Sequence, residues 1–273
     1  VHLHHDENAA SQAAAAPTGD RATRKVRAVA AQHRAALGNL RHVEAATPNA
    51  PAWATTAALV LLFSVGPLLG NASVAEALWL LPVWVAIAGL VLWFLGSEKL
   101  LVLDRGVVVG SFAPFLRPFV VPFSCVEATS VRAVVGSTRA IGALLADRGV
   151  SRSSRTVLWS RRAVTFVGPS TVAARRFAEA PLDAPTSQDV GADLWVFSAR
   201  SARRQETVVR ALAAALDDAH VADVEQVLAH ALPARRLTAT PAGADHLRLP
   251  ERWRSAAARH TRTGPHATDG RPR

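Results

Sequence analysis

The chain has no methionine, no tyrosine and one cysteine, and only two lysines and two isoleucines in 273 residues. The lone thiol, Cys125, excludes an intrachain disulfide framework and fits a domain that faces a reducing compartment. Lysine is so scarce that 29 of the 31 basic side chains are arginine, the exceptions being Lys25 and Lys99. Residues with AT-rich codons are the missing ones, so a GC-rich bacterial genome accounts for arginine standing in place of lysine. A methionine-free chain opening at Val1 is expected to start from a GTG codon. The net charge of +10 is therefore not in itself a nucleic-acid signature.

Charge of either sign is missing from two long runs, Ala52–Gly70 and Ala77–Leu95, each of 19 residues. As helices rising about 1.5 Å per residue they would each reach roughly 28 Å, close to the thickness of a bilayer's hydrocarbon core. Six residues, 71–76, join them, with Glu76 and no Lys or Arg. Arg34 and Arg41 precede the first run, and Lys99 and Arg105 follow the second. The positive-inside rule then predicts a transmembrane hairpin with an outside connector and both termini cytoplasmic. Trp53, Trp93 and Phe94 suit an aromatic belt on the inner side. No ionisable side chain occupies the expected bilayer interior, which argues against a self-contained transporter. The first run follows about fifty mostly polar residues, unlike a secretory signal peptide, and is expected to remain in the mature protein.

Around this hairpin (52–96) the chain divides into a polar, Ala-rich leader (1–19), a basic juxtamembrane segment (20–51), a cytosolic domain (97–232) and a basic tail (233–273) rich in Pro, Thr, Gly and Arg. In 20–51, Val26, Val29, His33, Leu37, Leu40 and Glu44 recur at three- and four-residue steps. They predict an amphipathic helix ending before Pro48, lying on the anionic leaflet or leading into the membrane. After Ser97 the period changes to two. Leu101 and Leu103 run into Asp104-Arg105-Gly106, and Val107 and Val109 continue the alternation, predicting a β-hairpin. Further strands are predicted at 119–123, 126–135, 156–159, 163–167 and 194–197, with a tight reversal over 159–163 and a short helix around Ile141 in an insertion at 136–154. Ser201 is a plausible N-cap for a helix whose apolar face is Val208, Val209, Leu212 and Leu216. Asp223 would cap a second helix with Val224, Val227, Leu228 and Ala231 inward. The expected fold class is α+β: a two-helix transmembrane hairpin, then a cytosolic antiparallel β domain, layered or barrel-like, closed by a C-terminal amphipathic helix.

The run Lys99–Gly110, the segment Val121–Val126 and Leu194-Trp195-Val196-Phe197 leading into the Ser201–Leu216 helix resemble bacterial pleckstrin-homology-like domains, which accompany two-helix anchors in actinobacterial membrane proteins. The resemblance covers roughly residues 97–218 and carries no catalytic residues with it. It implies a binding or scaffolding module at the inner membrane face.

Charge is polarised inside the domain: residues 130–176 hold nine Arg against Asp147 alone, whereas 177–225 hold four Arg against nine acids. Arg132, Arg139, Arg148, Arg152, Arg155, Arg161 and Arg162 are the candidates for contact with anionic lipid headgroups or a partner protein; alternatively they pair with the acidic stretch of the same domain. Enzyme motifs are missing. Gly136–Gly142 lacks the final Lys of a phosphate loop, and neither a Gly-x-Ser-x-Gly elbow nor a His-Glu-x-x-His helix occurs. Cys125 reads as a small core residue, Asp217 and Asp218 as a helix end, and His2, His4, His5, His220 and His230 as ordinary surface histidines rather than metal ligands. The tail offers only non-specific attraction to nucleic acid, with no base-stacking surface. No enzymatic activity and no cofactor are expected. The expectation is an integral inner-membrane protein whose cytosolic domain binds or scaffolds a partner protein or the anionic lipid surface. The competing expectation is an accessory subunit of a membrane transport or envelope-synthesis complex.

Overall fold

The computed structural model describes residues 16–66, 68, 73–136, 151–157, 159–180, 193–237 and 247. Ahead of the apolar runs lie strand β1 (Thr18–Gly19), helices α1 (Arg24–Gln32) and α2 (Arg34–Leu37), and strand β2 (Leu40–Ala45). The amphipathic helix expected across this stretch therefore stops early. Gly38, at φ +82°, takes a conformation that L side chains rarely adopt, and a Cβ there would strike Asp104. The stripe is also not turned to a membrane: Val26 and Leu37 are buried against the first sheet.

Two apolar helices follow, α3 (Ala50–Val65) and α4 (Val74–Gly96), whose facing rings Phe63 and Trp84 stack at 5.0 Å. Asn49 caps α3, its side chain accepting from the Ala52 amide at 3.1 Å. Among the described residues, α4 alone is long and apolar enough to cross a membrane, through Trp79–Gly96; the shorter α3, of 16 residues, reaches only about 24 Å. Their large side chains face outward, Trp79 being 79% exposed.

Immediately after α4 the chain enters β3 (Glu98–Leu103), then β4 (Gly106–Ser111) and β5 (Phe119–Pro122). The two-residue turn Asp104-Arg105 joins β3 to β4 in the register Leu103↔Gly106, as the alternation predicted. β3 also pairs antiparallel with β2 through Ala45↔Lys99, giving a first sheet in the order β1-β2-β3-β4-β5. The second sheet holds β6 (Glu127–Val135), β7 (Ser151–Arg155), β8 (Arg162–Gly168), β9 (Asp193–Ala199) and β10 (Arg235–Arg236), in the order β10-β6-β8-β9-β7. Both sheets are open, not a barrel, and three pairings are parallel: β1 with β2, β7 with β9, and β10 with β6. The strand expected at 156–159 lies earlier, at Ser151–Arg155. The predicted helix around Ile141 falls outside the described residues.

Helix α5 (Thr171–Glu179), capped by Ser170, was not foreseen; α6 (Ala202–Asp218), capped by Ser201, was. Helix α7 (Glu225–Ala231) buries Val227 and Ala231 as expected but leaves Leu228 exposed, and it has no side-chain cap. Strands β4 and β5 are buried along their whole length, and β3 from Leu100 on, because both faces are covered. Leu100, Val102, Val107 and Val109 meet the second sheet and α6 around Trp195, which contacts Phe119 edge-on at 5.5 Å and stacks on Phe166 at 6.4 Å. On the other face Leu101, Leu103, Val108 and Val120 meet α1, α2 and Phe177 of α5. Gln205 of α6 is buried and donates to the Val134 and Ala163 carbonyls at 2.9 and 2.7 Å, fixing the helix to β6 and β8.

Candidate membrane-facing site

Both chain ends of the α3–α4 pair issue from neighbouring, hydrogen-bonded strands. The Ala46 amide donates to the Glu98 carbonyl at 2.9 Å, so the segment entering α3 and the one leaving α4 belong to a single ladder. The body thus draws on residues both before and after the helical pair, where the sequence pointed to a domain beginning at residue 97. The same end of the molecule carries the turn before α6, through Arg200 donating to Thr47 Oγ1 at 3.0 Å. It also carries the approach to β8, through Asn49 donating to the Trp159 carbonyl at 3.0 Å.

At the root of the pair lies a charged network that the residue pattern did not reveal. Arg204 donates to Asp20 at 2.6 Å and to Glu44 at 3.5 Å; Asp20 also accepts from the Ala45 amide at 2.9 Å. His42 and Glu44 are fully buried, His42 Nε2 lying 3.7 Å from Glu44 Oε2 while Thr18 Oγ1 meets His42 Nδ1 at 2.9 Å. Arg200 adds a longer contact to Asp20 at 3.9 Å. The network holds α6 against β1 and β2. Its acids are engaged within it, by Arg200 as well as Arg204, and the exposed arginines Arg21, Arg24, Arg117 and Arg161 of this end lie outside it. Burial lowers the affinity of the nearby Lys99 amine for its proton, Asp20 opposing the shift.

Beside the helix roots, the β4–β5 loop continues from Ser111, which pairs with Glu98, the first residue of β3. The Phe112 amide donates to the Ser97 carbonyl at 2.9 Å, and Ser97 and Ser111 hydroxyls meet at 2.7 Å. Phe112 turns inward, whereas Phe115 is 96% exposed and Leu116 and Arg117 lie beside it at the surface. Lys25 of α1 ties the loop down, its ammonium donating to the Ala113 and Leu116 carbonyls, the latter at 2.9 Å. Between loop and helices opens a cavity of about 560 Å³ lined by Lys25, Val29, His33, Leu116, Arg117 and Glu179, among others.

The seven arginines singled out by charge do not form one described surface. Arg132 is buried, 6% exposed, and donates to the Val131 carbonyl at 2.6 Å, so it is not part of an exposed patch. Arg161 is exposed, and Arg162 is half-buried and reaches Gln205 Oε1 at 3.5 Å. Arg152 and Arg155 stand on the backbone of β7, their side chains outside the described set, and Arg139 and Arg148 lie outside the described residues. Outside those seven, this end also exposes Arg21 and Arg24, beside the start of α1, and Arg117, in the β4–β5 loop, two segments that the fold brings together. Cys125 is buried, hydrogen-bonded with Ser124, and burial pushes its thiol up. Among the described residues no group of three or more His, Cys, Asp or Glu converges as a metal site requires. No family model, curated protein or solved structure matches the chain.

Proposed function

We propose that this is an integral membrane protein in which α3 and α4 form a two-helix anchor and the α+β body is a binding or scaffolding module at the cytoplasmic face. The observation that carries this reading is the attachment of both anchor ends to adjacent strands β2 and β3. A domain hung on one linker swings; one whose anchor replaces the turn of a strand pair is held at a fixed height and orientation. Interfacial partners then meet a pre-oriented surface, and the effective concentration toward them is set by that geometry. The strand order supports the pleckstrin-homology-like reading: β2 to β5 form one antiparallel meander, β6, β8 and β9 form a second, and α6 follows. In this chain the anchor is inserted between the first two strands of the meander. Exposed arginines at the anchored end favour the cytoplasmic side.

Single-cysteine labelling tests the topology, since Cys125 is buried and gives little background. Ser73→Cys, at the start of α4, and Ala219→Cys, just past α6, are treated in spheroplasts with a membrane-impermeant maleimide. Labelling at 73 alone is the expected result, with 219 reacting only after lysis. Labelling at 219 alone would reverse the orientation, and recovery of the protein in a carbonate-soluble fraction would overturn the anchor.

A further inference from the structure

We infer that the β4–β5 loop is a membrane-inserting wedge, with Phe115 and Leu116 entering the headgroup region of an anionic leaflet while Arg117, Arg21 and Arg24 engage its lipid phosphates; this rests on the anchor reading above. Three observations meet in this loop. Its position is fixed by the ladder: Ser111 pairs with Glu98, and Phe112 bonds Ser97, the residue directly after α4. The loop therefore stands at the level where the apolar helix leaves the body. Its exposure has no use in the body itself, for Phe115 is 96% exposed although Phe112, three residues earlier, fills the core. An aromatic and a leucine at a loop tip beside a membrane span sit where amphipathic groups partition into an interface.

Charge is the third observation. Arg117 projects with 81% of its side chain exposed, Arg21 and Arg24 are exposed at the start of α1, and Lys25 fastens α1 to the loop carbonyls. The one acid in ion-pair range of Arg117 among the described residues is Glu179, at a loose 4.0 Å. The acids at the root are engaged by Arg204, with Arg200 also in range of Asp20. Cation and apolar tip thus share one rim, facing the surface on which the anchor holds them. A lysine that pins the loop from below reduces the ordering cost of insertion.

The experiment uses the full-length protein in lipid nanodiscs, with Pro114→Cys carrying an environment-sensitive fluorophore so that Phe115 and Leu116 remain. In discs containing phosphatidylglycerol, the fluorophore should shift to the blue and be quenched by lipids spin-labelled near the headgroup. Discs of phosphatidylcholine alone should give a smaller shift. Combining Arg21→Glu, Arg24→Glu and Arg117→Glu should abolish the difference between the two lipids. Phe115→Ser should lower the inserted-to-free ratio about tenfold, the equivalent of partly burying one Phe side chain. A fluorophore that stays water-exposed in both discs, or one equally shielded in detergent without anionic lipid, overturns the wedge. Failure of the protein to enter nanodiscs at all is instead the failure of the anchor reading, and carbonate extraction tells the two apart.

Discussion

Helix α6 is fastened to strand β2 at both of its ends, and the two fastenings differ in burial. At the anchored end Arg204 spans Asp20 and Glu44, with Glu44 fully buried and Asp20 largely so. At the far end Arg41 bonds Asp104 at 2.5 Å and also Asp218, whose side chain is 59% exposed. The chemistry is the same, arginine to carboxylate, but the surroundings are opposite. Water at the far end can replace a lost partner; at the other end it cannot reach the buried Glu44. The helix is thus clamped at the end where α3 and α4 leave the body and only steadied at the other.

The largest effect should come from breaking the root. Arg204→Ala leaves the fully buried Glu44 and the largely buried Asp20 without their guanidinium, a loss of about 3 kcal/mol. Arg204→Met keeps much of the side-chain length and should cost nearly as much if charge rather than packing is at stake. Thermal melts of the detergent-solubilised protein, followed by tryptophan fluorescence, measure both. A Met variant that melts like the wild type would show that the network adds no stability.

The difference between the ends also explains what the residues disclosed in advance and what they did not. The β3–β4 hairpin and α6 were legible because their apolar residues recur at two- and three-to-four-residue steps, with Asp104-Arg105-Gly106 and Ser201 marking their limits. Strand β2 was not, because its residues Leu40-Arg-His-Val-Glu-Ala bury His42 and Glu44 against a partner 160 residues away in sequence, and burial of that kind leaves no hydrophobic pattern. Its Leu40 and Glu44 also fitted a helical stripe continuing from Leu37, which only the positive φ of Gly38 interrupts. Helix α5 is short and half polar. At the candidate site nothing local distinguishes the buried Phe112 from the exposed Phe115; their difference comes from Ser97 and α1.

A middle-sized effect is expected at Asp104, which stands between the two extremes. Burial opposes its charge, but the Asn39 amide at 2.6 Å and Arg41 outweigh it and hold the carboxyl below its usual range. A carboxyl whose folded pKa is depressed contributes stability that is present above the unfolded value, about 4, and is lost as pH falls through the folded one. Asp104→Asn should therefore cost about 1 kcal/mol between pH 5 and 7, and the gap between the two melting curves should close as the pH is taken below about 4. A gap independent of pH would mean that the loss is one of packing.

The smallest effect belongs to Asp218. Arg41 keeps Asp104 when Asp218 is removed, and the carboxylate itself is more than half in water, so Asp218→Ala should change stability by no more than about 0.5 kcal/mol. Whatever difference remains should fade in high salt, because an exposed pair is screened, whereas the Arg204→Ala deficit should persist. The salt series therefore separates the ends even if their sizes at low salt prove similar. If Asp218→Ala were as damaging and as salt-resistant as Arg204→Ala, the far end would be a second clamp. The anchored root would then have no special claim to holding α6 in place.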